Sequence, residues 1–310
     1  MALPMDRAHA RMPWGRLSRS GRRNLRNGLL FTAPGIIGLF WFYAYPVLAS
    51  LFYSFTSYDG LHTLSWVGLR NYSDLARDGL FWQSLFNTAY YVVLSVPLTV
   101  LFAFGLALLL NRKDIWGLAL FRTIFFIPSI VPLISSTLLW LWLFNPQYGL
   151  INTVLSYVGI NGPGWLNDPA WAKPALVIMG LWSVGGWMVI FLAGLQNVPV
   201  ELHEAAELDG ASPLGRLLHI TVPFMSPYFF FSAISNLIFG FQYFLQAFVM
   251  TQGGPAESTT FYSLYLYQNA FQYYRMGYAS AMGWILFLLV AACTFVLFKS
   301  SARHVYYGGQ

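Results

Sequence analysis

The sequence contains few charged residues. Of its 310 residues only 9% are charged, whereas 57% are hydrophobic, and the mean hydropathy is +0.55. Because soluble domains carry about 25% charged residues, this chain lacks the polar side chains that a soluble fold needs to cover its surface. The sequence therefore predicts an integral membrane protein, and the lipid bilayer is its first expected partner.

Cysteine and lysine are scarce as well. Cys293 stands alone in an apolar run, which excludes an intrachain disulfide and predicts an inert buried thiol. None of the three lysines follows a glycine, which excludes a G-x-x-x-x-G-K-[ST] loop for nucleotide phosphates. The histidines are dispersed, so no metal site is expected. Neither an activated nucleophile nor a pair of acids lies in the apolar segments, so no catalytic residue and no enzyme is expected.

The net charge of +6 comes largely from seven arginines that precede the first apolar segment. A basic block in this position is typical of a cytoplasmic tail on the inner face of a membrane, and it does not indicate nucleic-acid binding. The apolar stretch that follows, about residues 29–55, is too long for the hydrophobic region of a signal peptide. We therefore predict a basic cytoplasmic tail over residues 1–28 and a retained transmembrane helix after it.

Six apolar segments are long enough to cross a bilayer, since a hydrocarbon core of about 30 Å requires roughly 20 helical residues. Backbone groups in lipid must find hydrogen bonds within their own segment, so the segments are predicted to be helices. They lie near residues 29–55, 86–110, 119–144, 173–195, 224–250 and 278–298. The predicted fold is all-α, with a six-helix membrane domain over 29–299 and a cytoplasmic tail over 300–310.

The distribution of Lys and Arg sets the orientation. With a cytoplasmic N-terminus, 13 of these residues lie inside and four lie outside. The outside residues are Arg70, Arg77, Lys173 and Arg275. This excess of positive charge predicts that both termini and the loop at about 196–223 are cytoplasmic.

The loop at 196–223 reads as two short helices joined by a tight turn. Pro199 suits the first turn of a helix, and Glu204 lies near its positive end. Gly210 can end that helix in a left-handed conformation, and Ser212 can cap the next one ahead of Pro213. Such a compact unit could fit a groove on another protein, although an amphipathic connector lying on the membrane would give the same pattern.

The spacing in this loop resembles a known family. Glu204-Ala205-Ala206, then Asp209-Gly210-Ala211, and Pro223 twelve residues beyond Ala211 match the EAA loop of permeases from ATP-binding-cassette importers. Other matches point to the carbohydrate-uptake branch, which includes maltose and glycerol-phosphate permeases. They are Asn87-Thr88, Phe121-Arg122 through Pro128, Gly185-Gly186-Trp187, Thr251-Gln252-Gly253-Gly254-Pro255 and Met276-Gly277-Tyr278-Ala279.

The resemblance implies a type I importer permease fold in a bacterial cytoplasmic (inner) membrane. It assigns Glu204, Ala205, Ala206, Asp209, Gly210 and Ala211 to the element that docks on an ATPase. It also implies four further subunits: a second related permease, two ATPases that bind the ATP, and an extracytoplasmic sugar-binding protein. The chain itself would need no cofactor.

Several polar and aromatic side chains lie at mid-membrane depth. Sugars need hydrogen-bonding groups together with aromatic rings, and an unpartnered amide in hydrocarbon is costly. The predicted substrate contacts are Ser136, Trp140, Trp182, Ser183, Asn236, Phe239, Gly240 and Tyr243, with Asn236, Gly240 and Tyr243 on one helix face. Hydrogen bonds between helices would equally explain single Ser and Asn residues.

Three other functions remain open from the sequence. One is a permease for glycerol phosphate or another small polar solute; a phosphate would need a basic group in the pathway, and none is present at mid-depth. An ion-coupled carrier usually places ionisable groups near the middle of its helices, and in this sequence Arg122 and Lys173 lie only at segment ends. A membrane scaffold without transport activity would show the same hydropathy.

Overall fold

The computed structural model describes residues 19–62, 64–112 and 114–301, and most of these are helical. Over these ranges no β-strand forms, apart from an isolated antiparallel bridge between Thr56 and Trp66. The predicted all-α fold class is confirmed.

The helices of the described chain are α1 (Arg19–Leu39), α2 (Tyr45–Tyr53), α3 (Arg70–Arg77), α4 (Gly79–Leu110), α5 (Leu118–Ile130), α6 (Leu133–Leu143), α7 (Leu150–Tyr157), α8 (Pro169–Trp182), α9 (Gly185–Gln196), α10 (Val200–Leu208), α11 (Pro213–Arg216), α12 (Val222–Phe241), α13 (Leu245–Met250), α14 (Tyr262–Tyr267) and α15 (Met276–Ser301). Three π-helical turns, Phe40–Ala44, Leu217–Thr221 and Gln268–Gln272, interrupt this sequence of helices.

Four helical stretches are long and apolar enough to cross a membrane: Arg19–Tyr53, Gly79–Leu110, Pro213–Met250 and Met276–Ser301. Two helix pairs pass the same test together, α5 with α6 and α8 with α9, but they are bent by 101° and 51°. If each bent pair is one span, the described chain has six, and each of the six predicted segments corresponds to one of them.

A proline lies at the sharper bend. Between α5 and α6, Val131 is extended because it precedes Pro132, and a residue before proline avoids the helical conformation. After the second bend, Gly185 at the start of α9 lies very close to α5, since a Cβ at this position would lie 2.3 Å from the carbonyl oxygen of Phe125. The absence of a side chain at Gly185 therefore lets α9 pack against α5.

The chain divides into two compact units, residues 1–52 and 53–310. The described part of the first unit is α1 and most of α2, in which no residue is buried. Helix α1 already includes Arg19, ten residues before the predicted start of the first span, so the helix extends into the basic segment. Residues 1–18 and 302–310 of the two predicted tails lie outside the described residues.

In the second unit, α4 is the central helix and packs against α8, α9, α12 and α14. It begins at Gly79, so Asn87-Thr88 lies inside the helix and not at its start. One apolar cluster surrounds its N-terminal half and includes Tyr91, Leu176 and Phe261. A second cluster surrounds its C-terminal half, where Phe104, Phe191 and Met225 meet.

Candidate functional site

Two cavities that share residues lie in the second unit. The larger, of about 490 Å³, is bounded by α4, α9, α12 and the chain between α12 and α13. The smaller, of about 240 Å³, lies between the end of α5, the start of α6 and the end of α8. The residues that line both are Leu133, Gly180, Ser183, Tyr243 and Gln246.

Seven of the eight predicted substrate contacts line these cavities. Ser183, Asn236, Phe239, Gly240 and Tyr243 line the larger one. Ser136 and Trp182 line the smaller one, together with Ser183 and Tyr243. Their roles in binding stay predictions, but the structure does bring together residues of three helices, α6, α8 and α12, and of the breaks that follow α8 and α12.

Trp140 is the exception, because it lines neither cavity. It is only 8% exposed, and its ring packs 4.9 Å from that of Phe144 and 6.1 Å from that of Trp182, centroid to centroid. Its indole therefore belongs to the apolar packing behind Trp182.

Tyr243 lines the cavities from a position other than the predicted helix face. Helix α12 ends at Phe241, so Tyr243 does not continue the helical face of Asn236 and Gly240. It lies in the non-helical break before α13, where its ring packs 4.2 Å from that of Tyr91 and 5.2 Å from that of Phe261. Its buried hydroxyl makes no hydrogen bond within the described chain.

The polar groups of the cavities are uncharged. Asn236 donates from Nδ2 to the carbonyl oxygen of Ser232 at 2.8 Å, which leaves its Oδ1 as an acceptor. Ser183 donates to the carbonyl oxygen of Gly180 at 3.0 Å and keeps its lone pairs. Since Gln246 contributes an amide as well, the cavities combine acceptors and donors with aromatic rings, and no Asp, Glu, His, Lys or Arg lines them.

The list of predicted contacts omitted several residues that line the cavities. The larger cavity includes Tyr91, Ser95 and Thr99, which follow Asn87 at intervals of four residues along α4. This spacing places all four on one helix face, so a polar stripe on α4 was the signal that could have found them. Trp187, Gln242 and Gln246 also line this cavity and were not among the predicted contacts.

The loop at 196–223 forms the predicted pair of short helices. Helix α10 ends ahead of Gly210, which adopts φ +76°, and Ser212 caps α11 by accepting from the amide of Gly215 at 3.1 Å. Pro199 is the residue before α10 and not part of its first turn. An ion pair between Arg216 and Glu207 ties the two helices together.

The two faces of α10 differ. His203 and Ala206 are partly buried, and Nε2 of His203 lies 3.5 Å from Oγ1 of Thr221 at the start of the next span. The opposite face carries Glu201, Ala205 and Leu208 at positions i, i+4 and i+7, and Leu208 is 90% exposed. Of the predicted docking residues, Ala206 therefore faces the protein, and Ala205 faces away.

A buried amide anchors the segment between α13 and α14. Asn87 donates to the carbonyl oxygens of Glu257 and Thr260 at 2.8 and 3.1 Å, and it accepts from Lys173 Nζ at 2.9 Å. Within the turn, the hydroxyl of Thr259 donates to the carbonyl oxygen of Gly254 at 2.6 Å. The turn is thus held by its own hydrogen bonds and by α4.

Asp78 joins three helices at the N-terminal end of α4. It caps α4 by accepting from the amide of Leu80 at 2.9 Å, and it accepts from the hydroxyls of Tyr265 and Tyr278. Burial raises the pKa of Asp78, but these hydrogen bonds outweigh burial and hold the pKa below its usual value. Burial and the neighbouring carboxylate raise the pKa of Tyr265. The carboxylate therefore fastens α4, α14 and α15 together.

The sequence match to a known family agrees with this fold. Residues 95–305 match the family described as binding-protein-dependent transport system inner membrane component. The chain belongs to this family, whose members are transport components of the ATP-binding-cassette type and not enzymes.

Individual relatives agree with this assignment. The chain is 41% identical over 295 residues to the probable ABC transporter permease protein YesP of Bacillus subtilis, covering 94% of this chain and 95% of YesP. It is 36% identical over 281 residues to the lactose transport system permease protein LacF of Rhizobium radiobacter, covering 89% and 94%.

The fold also resembles that of a solved transporter. A chain in the crystal structure of a bacterial alginate ABC transporter, in complex with an alginate pentasaccharide-bound periplasmic protein, aligns with a TM-score of 0.79. The alignment covers 92% of this chain and 98% of that one at 21% identity. The predicted type I importer permease fold is confirmed.

Proposed function

We propose that this permease forms part of the translocation path for a sugar or oligosaccharide. The observation that carries the proposal is the larger cavity, which combines Asn236, Tyr243 and Trp187 in an uncharged site of about 490 Å³. Amides and hydroxyls can exchange hydrogen bonds with sugar hydroxyls, while aromatic rings cover the apolar faces of sugars. The named substrates of relatives, among them lactose and trehalose/maltose, support this substrate class.

The proposed partners are a second related permease, two ATPase subunits and an external sugar-binding protein. The periplasmic protein named with the alginate transporter supports the last of these. In this arrangement the membrane is the bacterial cytoplasmic membrane, both termini are cytoplasmic, and residues 201–213 receive the movement of the ATPases. A carrier driven by an ion gradient is not favoured, because the family is defined by its dependence on a binding protein.

The structure offers a route from the loop to the cavity. Helix α11, the turn Leu217–Thr221 and α12 belong to one stretch, Pro213–Met250, that could cross the membrane. Asn236 lies on this stretch, roughly 35 Å along the axis from Pro213 at a rise of about 1.5 Å per residue. Tilting the stretch from its cytoplasmic end would therefore move a wall of the cavity.

The test is uptake of radiolabelled lactose, maltose and trehalose into proteoliposomes that contain the whole transporter and internal ATP. With the wild-type permease we expect uptake of at least one saccharide. Asn236→Ala should lower it about two- to tenfold, since a lost hydrogen bond to an uncharged group is worth about 0.5–1.5 kcal/mol. Asn111→Ala, at the exposed end of α4, is the matched control. Unchanged uptake of every transported saccharide in Asn236→Ala would remove this residue from the site.

A further inference from the structure

Four arginines share one face of α1. Arg22 and Arg23 follow Arg19 by three and four residues, and Arg26 follows them by four and three, which places the four side chains on one helix face. They alone line a surface cleft of about 390 Å³. All four are exposed.

No carboxylate of the described residues neutralises this face. Helix α1 contains no Asp or Glu, and the nearest acidic residues along the sequence are Asp6 and Asp59. The ion pairs found in residues 19–62, 64–112 and 114–301 involve none of the four arginines. Like charges at these spacings destabilise a helix, so binding of an external anion to this face would stabilise α1.

The position of the face indicates which anion is available. Three residues beyond Arg26, the apolar run that begins at Leu29 enters the membrane. At about 1.5 Å per residue, the four guanidinium groups occupy roughly the 10 Å of helix that adjoin the hydrocarbon, which is the depth of lipid phosphates. Guanidinium binds phosphate oxygens in a bidentate manner, and exposed apolar residues of the same helix fix its depth.

We propose that this arginine face is a binding site for the phosphate headgroups of anionic phospholipids. It anchors the first helix at a fixed depth in the membrane. Because the site uses residues of α1 alone, it is independent of the substrate cavities and of the cytoplasmic loop.

Native mass spectrometry of the full-length protein can test the proposal. The protein is purified in detergent and titrated with phosphatidylglycerol or phosphatidylcholine, and retained lipid is counted. We expect selective retention of phosphatidylglycerol, weakened about fivefold for each arginine replaced by glutamine. Arg22→Gln/Arg26→Gln should therefore lose about 25-fold, and the corresponding lysine variant should retain most of the selectivity.

Arg70→Gln/Arg77→Gln is the matched control, because these two arginines are exposed on α3 and lie outside the arginine face. Equal retention of phosphatidylglycerol by the wild type and by Arg22→Gln/Arg26→Gln would overturn the proposal, as would equal retention of the two lipids by the wild type. A third arm adds inorganic phosphate in excess. Displacement of the lipid by phosphate would show a site for free anions and would also overturn the proposal.

Discussion

Leu208 offers the sharpest test of the docking role proposed for the loop at 196–223. Its large apolar side chain is 90% exposed at the end of α10, so it contributes almost nothing to the folding stability of the isolated chain. If the outer face of α10 docks on an ATPase, Leu208 becomes buried there. Leu208→Ala removes three carbons, and at about 0.8 kcal/mol for each the complex should lose about 2 kcal/mol. This loss corresponds to an affinity about 30-fold weaker.

The assay is a titration of the purified ATPase subunit against the permease in lipid nanodiscs. Leu61→Ala provides the control, because Leu61 is 75% exposed in the loop between α2 and α3. Since neither side chain is packed in the free chain, both variants should unfold at the wild-type temperature.

Two results would refute the reasoning in different ways. If the wild-type permease binds the ATPase and Leu208→Ala binds equally well, the outer face of α10 is not the contact. If the wild-type permease binds no ATPase of its own transport system, the proposed coupling through residues 201–213 is wrong.

Two further predictions concern contacts between helices that stabilise the fold. The pKa of Asp78 is lowered in the folded chain, so its carboxylate stabilises the fold above the ordinary value of about 3.9, and this stabilisation is lost as the pH falls through the lowered value. The unfolding temperature of Asp78→Asn should therefore change less than that of the wild type between about pH 5 and pH 3. An identical dependence of the unfolding temperature on pH in the two proteins would contradict this. Gly185→Ala should cost about 1–3 kcal/mol, because its new Cβ would lie 2.3 Å from the Phe125 backbone oxygen. Gly186→Ala, which meets no atom within 4 Å, should unfold at nearly the wild-type temperature, and equal melting of the two variants would count against the close packing.

Local chemistry was sufficient to predict much of the loop and the helices. The six spans follow from segment length and hydropathy alone. The turn at Gly210 and the cap at Ser212 follow from side chains that act on their own backbone, so no tertiary contact was needed to predict them.

The cavity depended on breaks that the hydropathy pattern does not show. The apolar run continues from α12 into α13, so the sequence extended one helix through Tyr243, whereas the structure ends α12 at Phe241. Trp140 also has a side chain suited to sugar contact, but it turns toward Phe144 because aromatic packing there buries it. Depth along a helix could be predicted, but the direction of each side chain required the packed structure.

The break at residues 242–244 also gives the proposed coupling a physical form. A rigid helix from the loop through Met250 would transmit a tilt to both ends alike. Because regular helical structure stops at Phe241 and resumes at Leu245, the two parts can move differently. Tyr243 lies within this break and lines both cavities, against Tyr91 on α4. A force on α10 would therefore change the distance between these two rings before it displaced α13. The two cavities would then change shape at Tyr243, which lines both of them.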